Sequence, residues 1–155
     1  MKTQLETAMN YLINTEIWSA NQYLALQIYF ERQQMPVLSH WLWMQARNSI
    51  ERISRMASLL YRLGKSTVIQ QTSHTPCVWQ TPVEALDRII SLERQMDRHI
   101  SAAIRLAELE DTEACLALNR LYTRRFYVTH IFLEILHIFS GELRRRLPER
   151  FLQPE

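Results

Sequence analysis

Apolar residues recur at alternating steps of three and four along four segments of the chain, which predicts four amphipathic helices around one core. The predicted helices span residues 4–32, 37–63, 81–109 and 112–139. Short links join the first helix to the second and the third to the fourth, so each pair is expected to form an antiparallel hairpin. The two pairs are connected by residues 65–80, a long stretch without periodicity.

Residues with strong end preferences mark the predicted helix boundaries. Gly64 follows the second helix where a C-terminal cap belongs. Residues 81–84, Thr-Pro-Val-Glu, read as a capping box with proline at the first helical position. Asp111 is the expected N-cap of the fourth helix. We expect Ser140 and Gly141 to end that helix.

The composition fits a single helical domain over residues 1–155, with the bundle at about 4–139 and a short tail at 140–155. Apolar residues make up 47% of the chain, enough for a continuous core. No window of ~20 apolar residues predicts a membrane helix, and the polar N-terminus lacks the apolar block of a secretory signal. We therefore expect a cytoplasmic protein without a membrane partner, in which Cys77 and Cys115 are free thiols.

The charge argues against a nucleic-acid partner, because a net charge of +2 is too small to hold a phosphate backbone. Of the 18 basic residues, 16 are arginine, whose guanidinium group suits fixed, bidentate ion pairs. The arginines at 144–146 are explained by their place near a helix C-terminus. The arginine content therefore favours structural salt bridges.

Each predicted helix has an apolar inward face that is interrupted near its middle by a charged residue. The interruptions are Glu16, Arg52, Glu93 and Arg125, one from each helix. Buried charge is costly unless it is paired, so the four residues are expected to meet in one polar layer whose formal charge sums to zero. On the fourth helix the predicted inward positions are Leu121, Arg125, Val128, Phe132, Ile135 and Phe139.

This layer has more than one interpretation. A dinuclear iron site needs an excess of carboxylates together with imidazole, and two guanidinium groups beside such a site would repel the metal. We therefore favour a structural ion-pair layer. A weakened metal site and an error in the helix register remain as alternatives.

From about residue 5 to residue 130 the chain resembles the bacterial non-haem ferritins. The resemblance is carried by Asn14-Thr15-Glu16, Tyr23, Gly64 and Glu93. It implies an all-α, ferritin-like antiparallel four-helix bundle with a long crossover between the second and third helices. Ferritins of this kind oxidise Fe(II) at a diiron centre inside each bundle and store ferric mineral in a hollow 24-subunit shell.

Most residues of the family's iron-oxidising motif are replaced in this chain. Glu16, Tyr23 and Glu93 are retained, and the resemblance makes them the remnant of a metal site. Ser49 stands in place of the bridging glutamate, and Arg52 in place of the histidine, of the second-helix motif. The acids and the glutamine of the fourth helix are replaced by Arg125, Phe126, Val128 and Thr129.

The replaced ligands change the expected cofactors. Serine is a poor iron ligand and arginine offers no lone pair, so iron is not expected at a full diiron site. Haem-binding relatives place a methionine beside the second-helix motif, and Ile50 stands there in this chain. Haem is therefore not expected. His99 and His130 lie one step off the predicted inward faces and are interpreted as edge residues rather than ligands.

The resemblance also implies self-association, with an antiparallel dimer as the building block and a 24-subunit shell as the full assembly. Trp18 and Trp43 lie off the predicted seams and are expected to serve the dimer face, whereas Trp41 fits the core equally well. The tail is short, basic and interrupted by Pro148, unlike the fifth helix of the family. A mixed shell with an active ferritin is a further expected partnership.

The function expected from these residues is that of an iron-storage-type or shell-forming subunit that lacks a complete diiron ferroxidase centre. Such a subunit would accept iron oxidised elsewhere, so the chain is expected not to be an enzyme. Two alternatives stay open. One is a ferroxidase with an altered ligand set built on Glu16, Glu93 and Tyr23, and the other is a scaffold or interaction protein that has left iron chemistry.

Overall fold

The computed structural model describes residues 3–146, apart from the side chains of residues 142, 143 and 146, and contains four helices. They are α1 (Gln4–Arg32), α2 (Pro36–Arg62), α3 (Pro82–Glu110) and α4 (Thr112–Arg146). The prediction of an all-α four-helix bundle is confirmed. Within the described range, none of the helices combines the length and the apolar character that crossing a membrane requires.

The helices form two antiparallel hairpins that pack side by side. α1 packs against α2 and α3, and α4 packs against α3 and α2. The backbone N–H of Leu5 donates to the Glu110 carboxylate at 3.0 Å, which places the start of α1 beside the end of α3. The end of α2 therefore lies far from the start of α3, and a long crossover has to run the length of the bundle.

The crossover is fastened to α1 by two asparagine side chains one helical turn apart. Asn10 donates to the carbonyl of Ser66 at 2.8 Å and accepts from the N–H of Val68 at 2.7 Å. Asn14 repeats the pattern with Val68 and Gln70, at 2.8 and 2.7 Å. Each asparagine thus satisfies backbone groups that have no helix or sheet to pair with, which explains why a non-periodic segment is held in one path.

Polar residues cap the helices where their first backbone N–H groups lack partners. The Thr81 hydroxyl accepts from the N–H of Glu84 at 3.1 Å, and Glu84 reaches back to the N–H of Gln80. The Asp111 carboxylate accepts from the N–H of Ala114 at 2.9 Å. The predicted starts of α3 and α4 agree with these contacts.

α1 and α2 end in the same way, with a residue in the left-handed region followed by paired hydrogen bonds to the last turn. At the end of α2 this residue is Gly64, with φ of 68°, as expected for a cap without a Cβ. At the end of α1 it is Gln34, with φ of 58°. Met35 and Gln34 donate to Phe30 and Glu31, both at 3.1 Å, so the hydrogen bonds of the cap form despite the strain of a side chain.

We expect the substitution Gln34→Gly to stabilise the protein by about 1 kcal/mol, because the left-handed conformation costs roughly that much for a residue with a Cβ. The free energy of unfolding, measured with urea, checks the prediction. Gln33→Gly is the matched control, since Gln33 has a negative φ of −81° and glycine there relieves no left-handed strain. A Gln34→Gly variant less stable than the wild type would contradict the conclusion that the left-handed backbone of Gln34 is strained.

The bundle core consists of two apolar clusters at opposite ends. One is built around Met9, Met56 and Tyr122, and the other around Phe30, Leu42 and Leu86. The predicted inward positions of α1 are all buried: Met9, Leu12, Glu16, Ser19, Tyr23, Leu26 and Phe30. Those of α3 are buried as well: Leu86, Ile89, Glu93, Met96, Ile100, Ala103 and Ala107. Those of α2 are buried except for the half-buried Leu63: Leu42, Gln45, Ser49, Arg52, Met56 and Leu59. The seams of three helices were therefore predicted correctly.

The predicted inward face of α4 was right for Arg125, and Leu121 and Phe132 are half-buried against the two core clusters, but the other predicted positions were wrong. Val128, Ile135 and Phe139 are 49%, 56% and 39% exposed. The positions of α4 that are buried are Ala114, Leu118, Tyr122, Arg125, Thr129, Leu133, Leu136 and Ser140. α4 carries apolar residues on two neighbouring faces, so its pattern alone did not distinguish the one that faces the core.

α4 also continues past the predicted end at Ser140 and Gly141, and reaches Arg146. A single glycine costs only about 1 kcal/mol in a helix interior, which the neighbouring contacts can offset. Ser140 is buried and its hydroxyl donates to Asp87 at 3.3 Å, and Arg144 pairs with the same carboxylate. The first part of the predicted tail is therefore helical, and residues 147–155 lie outside the described range.

Candidate functional site

A buried layer of charged residues separates the two apolar clusters of the core. Glu16 and Glu93 have no exposed surface, and Arg52 and Arg125 are 9% and 7% exposed. The layer is reached by one residue from the middle of each helix. Two of its contacts join helices of the same hairpin, α1 with α2 and α3 with α4.

The carboxylate of Glu16 is held by α2 and α4 together. Arg52 donates to it through Nε at 2.7 Å and Nη2 at 3.1 Å, a bidentate pairing. The Tyr122 hydroxyl donates to Oε1 of Glu16 at 2.8 Å. Arg52 also donates to the Ser49 hydroxyl at 3.1 Å and lies over the Tyr122 ring, 5.5 Å from its centroid. Both oxygens of Glu16 are thus engaged by protein donors.

The carboxylate of Glu93 is held less completely. Arg125 donates to its Oε2 at 2.6 Å and to its backbone carbonyl at 3.4 Å. The second guanidinium nitrogen, Nη1, pairs with Asp97, one helical turn further along α3. The other oxygen, Oε1 of Glu93, is buried and has no hydrogen-bond partner among residues 3–146. Arg125 therefore divides its charge between two carboxylates.

Glu93 has a raised affinity for a proton, chiefly because it is buried. Burial raises the pKa of Glu93 to about 7, against the lowering effect of Arg125, and the charges of Asp97 and Glu16 raise it further. Because Asp97 pairs with Arg125, the layer contains five charged residues rather than the four that the sequence predicted. Its charge stays close to neutral when Glu93 carries a proton.

The same electrostatics act on the other members of the layer. Burial raises the pKa of Tyr122 well above its usual value, and the Glu16 charge adds to this, so the hydroxyl keeps its proton and remains a donor. Burial would lower the pKa of Arg125, but Glu93 and Asp97 outweigh it and the pKa is raised. Arg125 is thus a fixed cation of the bundle interior.

These residues do not fit a diiron centre. A metal ligand must offer a lone pair, and of the roughly four lone-pair sites of the Glu16 carboxylate, three already accept hydrogen bonds from Arg52 and Tyr122. The guanidinium groups of Arg52 and Arg125 lie directly against the two buried carboxylates, where their charge repels a metal cation. Over residues 3–146 there is no group of three or more histidine, cysteine, aspartate or glutamate side chains placed to hold a metal ion.

The other sequence-predicted site residues are spread over different environments. Tyr23 is 2% exposed and packs edge-on against Trp41, with ring centroids 6.3 Å apart, in the second apolar cluster. Thr129 is buried, whereas Phe126 and Val128 are 38% and 49% exposed. Of the four α4 positions that the sequence reading took for replaced ligands, Arg125 and Thr129 are buried in the core and the other two are not.

The histidines that the sequence singled out lie at the edges of the bundle, whereas Trp18 and Trp41 are half-buried and pack against the second apolar cluster. His99 packs edge-on against Tyr11, with ring centroids 5.3 Å apart, and His130 is exposed beside Glu134 at 3.6 Å. Trp18 lies beneath Arg88, and Trp41 stacks on Phe132 at 3.6 Å. Trp43 is 50% exposed. None of these described contacts involves the charged layer.

Sequence reasoning missed Tyr122 and Asp97. Tyr122 is three residues before Arg125, so it shares the face of α4 that reaches the layer, but tyrosine in a helix usually reads as core. Asp97 is four residues after Glu93 and hence on the same face of α3. Both signals follow from helical spacing once Arg125 and Glu93 are known to face inward.

Comparison with known proteins places this chain near the ferritins. The family model for the ferritin-like domain matches residues 6–116. Among curated relatives, the bacterial non-heme ferritins of two Bacteroides fragilis strains, 638R and YCH46, are each 28% identical over 111 residues, which is 72% of this chain and 70% of the relative. The range that the family model matches contains Glu16, Arg52 and Glu93.

Solved structures agree on the fold. An open pore ferritin from the hyperthermophilic archaeon Archaeoglobus fulgidus superposes with a TM-score of 0.76 and 21% identity, covering 98% of this chain and 92% of that one. A humanized archaeal ferritin gives a TM-score of 0.77 and 21% identity, over 97% and 89% of the two chains. At these identities the similarity shows the architecture alone.

Proposed function

We propose that this chain, which belongs to the ferritin-like domain family, is an iron-storage-type subunit that does not itself oxidise Fe(II). The family assignment confirms the resemblance drawn from the residues, since the family model covers 111 of the 155 residues. The residue-level part of the proposal concerns Glu16, Tyr23 and Glu93. We interpret them as the remnant of a diiron site whose place has been taken by a structural ion-pair layer.

The observation that carries the proposal is the engagement of Glu16 by three donors from Arg52 and Tyr122, at 2.7 to 3.1 Å. A metal ion could bind this carboxylate only after displacing a bidentate guanidinium that is itself buried. Glu93 retains a free oxygen, but the adjacent Arg125 repels cations. The layer therefore supports the bundle and does not favour iron binding within it.

Storage by such a subunit requires assembly. The second half of α4 presents an apolar strip to solvent, formed by Tyr127, Ile131, Ile135 and Ile138, which are 56 to 72% exposed. Continuous apolar surface of this kind is typical of protein interfaces. It supports self-association, either of this chain alone, with a dimer as the building block of a shell, or together with an active ferritin.

We expect aerobic oxidation of Fe(II) by the purified protein to proceed at the rate of a protein-free blank. Absorbance of the ferric product measures the rate, and an active ferritin at equal subunit concentration is the positive control. The physical reason is that two guanidinium cations hold the carboxylates that would bind iron. A rate well above the blank would favour the alternative of a ferroxidase with an altered ligand set.

Sedimentation of the same protein separates the storage proposal from the remaining alternative. A hollow shell that takes up iron when an active ferritin supplies the oxidation supports a storage subunit. A small discrete oligomer that retains no iron under those conditions would instead support a scaffold or interaction protein on the ferritin fold. The two experiments test catalysis and assembly separately.

A further inference from the structure

A cleft of about 430 Å³ opens between α2 and α4 and is lined by five arginines. Arg52 and Arg125 form its inner wall, and Arg55, Arg120 and Arg124 stand at its exposed side. We name it the arginine cleft. Among the described residues that line it, Glu51 is the one acid, and Glu51 already pairs with Arg47 at 3.5 Å.

The three exposed arginines are not explained by the fold. Arg55, Arg120 and Arg124 make no hydrogen bond or ion pair with any residue that the structure describes. Arg120 and Arg124 are four residues apart on the same helix, an arrangement in which like charges disfavour the helix. These cations would be better accommodated with an anion between them.

The inner wall of the cleft adds guanidinium donors that the protein itself does not fully use. Arg52 employs Nε and Nη2 in its contacts with Glu16 and Ser49, which leaves both hydrogens of Nη1 without an acceptor among the described residues. Arg125 employs Nη1 and Nη2, which leaves its Nε–H. The side chains of Arg52 and Arg125 are 11% and 5% exposed. The donors that remain can therefore serve an anion that enters the cleft.

We propose that the arginine cleft is a binding site for phosphate, either inorganic phosphate or a short chain of linked phosphates. Guanidinium groups match the oxygens of phosphate in pairs, and several arginines in one concave site suit a ligand with more than one negative charge. The proposal goes beyond iron storage, and it stands whether or not the protein oxidises Fe(II).

Calorimetric titration of the full chain with tripolyphosphate and, separately, with orthophosphate tests the site at constant ionic strength. The double variant Arg120→Gln/Arg124→Gln should bind the phosphate compound at least about tenfold more weakly than the wild type, because two charge-assisted contacts are lost. The matched control is Arg98→Gln/Arg105→Gln, which removes the same charge from exposed positions on α3. It should bind like the wild type.

The outcomes divide as follows. Binding of tripolyphosphate alone supports a site for linked phosphates, and binding of both compounds supports a site for the single phosphate group. Absence of binding by the wild type overturns the proposal, as does equal weakening in both double variants or equally tight binding of citrate. If the double variant proves unfolded by circular dichroism, Arg124→Gln alone carries the comparison, since its side chain is exposed.

Discussion

Replacing Arg52 with alanine is expected to lower the free energy of unfolding by about 3–5 kcal/mol, because it leaves the Glu16 carboxylate charged and buried without its partner. Arg125→Ala is expected to cost less at neutral pH. Glu93, whose pKa is about 7, can take up a proton, and Asp97 is 40% exposed and can be solvated. Urea unfolding at matched protein concentration measures both values.

Neighbouring arginines provide the controls for this pair of variants. Arg55→Ala and Arg124→Ala remove the same side chain from exposed positions of the same helices, and changes there are usually within about 0.5 kcal/mol. If Arg52→Ala unfolded at the same urea concentration as Arg55→Ala, the layer would not be a stabilising ion-pair network. A larger loss in Arg125→Ala than in Arg52→Ala would contradict the role given to the proton on Glu93.

The stability of the wild type relative to Glu93→Gln is expected to fall as the pH rises from about 5 to about 8. The folded-state pKa of Glu93 is about 7 and its ordinary value is 4.5. Between these values the folded protein holds a proton that the unfolded chain has released, so raising the pH favours unfolding by on the order of 1 kcal/mol per unit. Glutamine, which cannot ionise, lacks this dependence.

At about pH 5 the two proteins should have similar stability, because Glu93 is protonated in the folded state. By about pH 8 the free energy of unfolding of Glu93→Gln should exceed that of the wild type by on the order of 2 kcal/mol. Glu108→Gln, at an exposed position on α3, is the control for losing an ordinary carboxylate. A stability difference between wild type and Glu93→Gln that did not change with pH would show that Glu93 is already ionised in the folded protein.

The parts of this structure that could be predicted from sequence are those in which one face of a helix is apolar and the other is not. α1, α2 and α3 meet that condition, and Glu16, Arg52 and Glu93 were recognisable because a charge in an apolar seam has few explanations. α4 does not meet it, since Leu121, Val128 and Ile135 mimic a seam beside the true one. Arg125 was predicted correctly because it belongs both to the predicted inward face of α4 and to the face that is buried.

What remained hidden depends on contacts between residues distant in sequence. Whether the hydroxyl of Tyr122 bonds across the bundle to Glu16, 106 positions away, depends on how the two hairpins pack, and periodicity carries no such information. The contact between Arg125 and Asp97 likewise depends on the relative positions of Arg125, Glu93 and Asp97 in the folded protein. The raised pKa of Glu93 depends on the same positions and on burial, so the sequence alone does not reveal it.

The distribution of ion pairs over the two hairpins has a consequence for how the chain assembles. Arg52 pairs with Glu16 inside the first hairpin, and Arg125 with Glu93 and Asp97 inside the second. Each hairpin can thus pair its own charges before it contacts the other hairpin. Docking of the two hairpins then buries faces whose charges are already compensated. Among the hydrogen bonds of the layer, Tyr122 to Glu16 crosses between hairpins. If two copies of the chain exchanged whole hairpins, every guanidinium would keep its carboxylate.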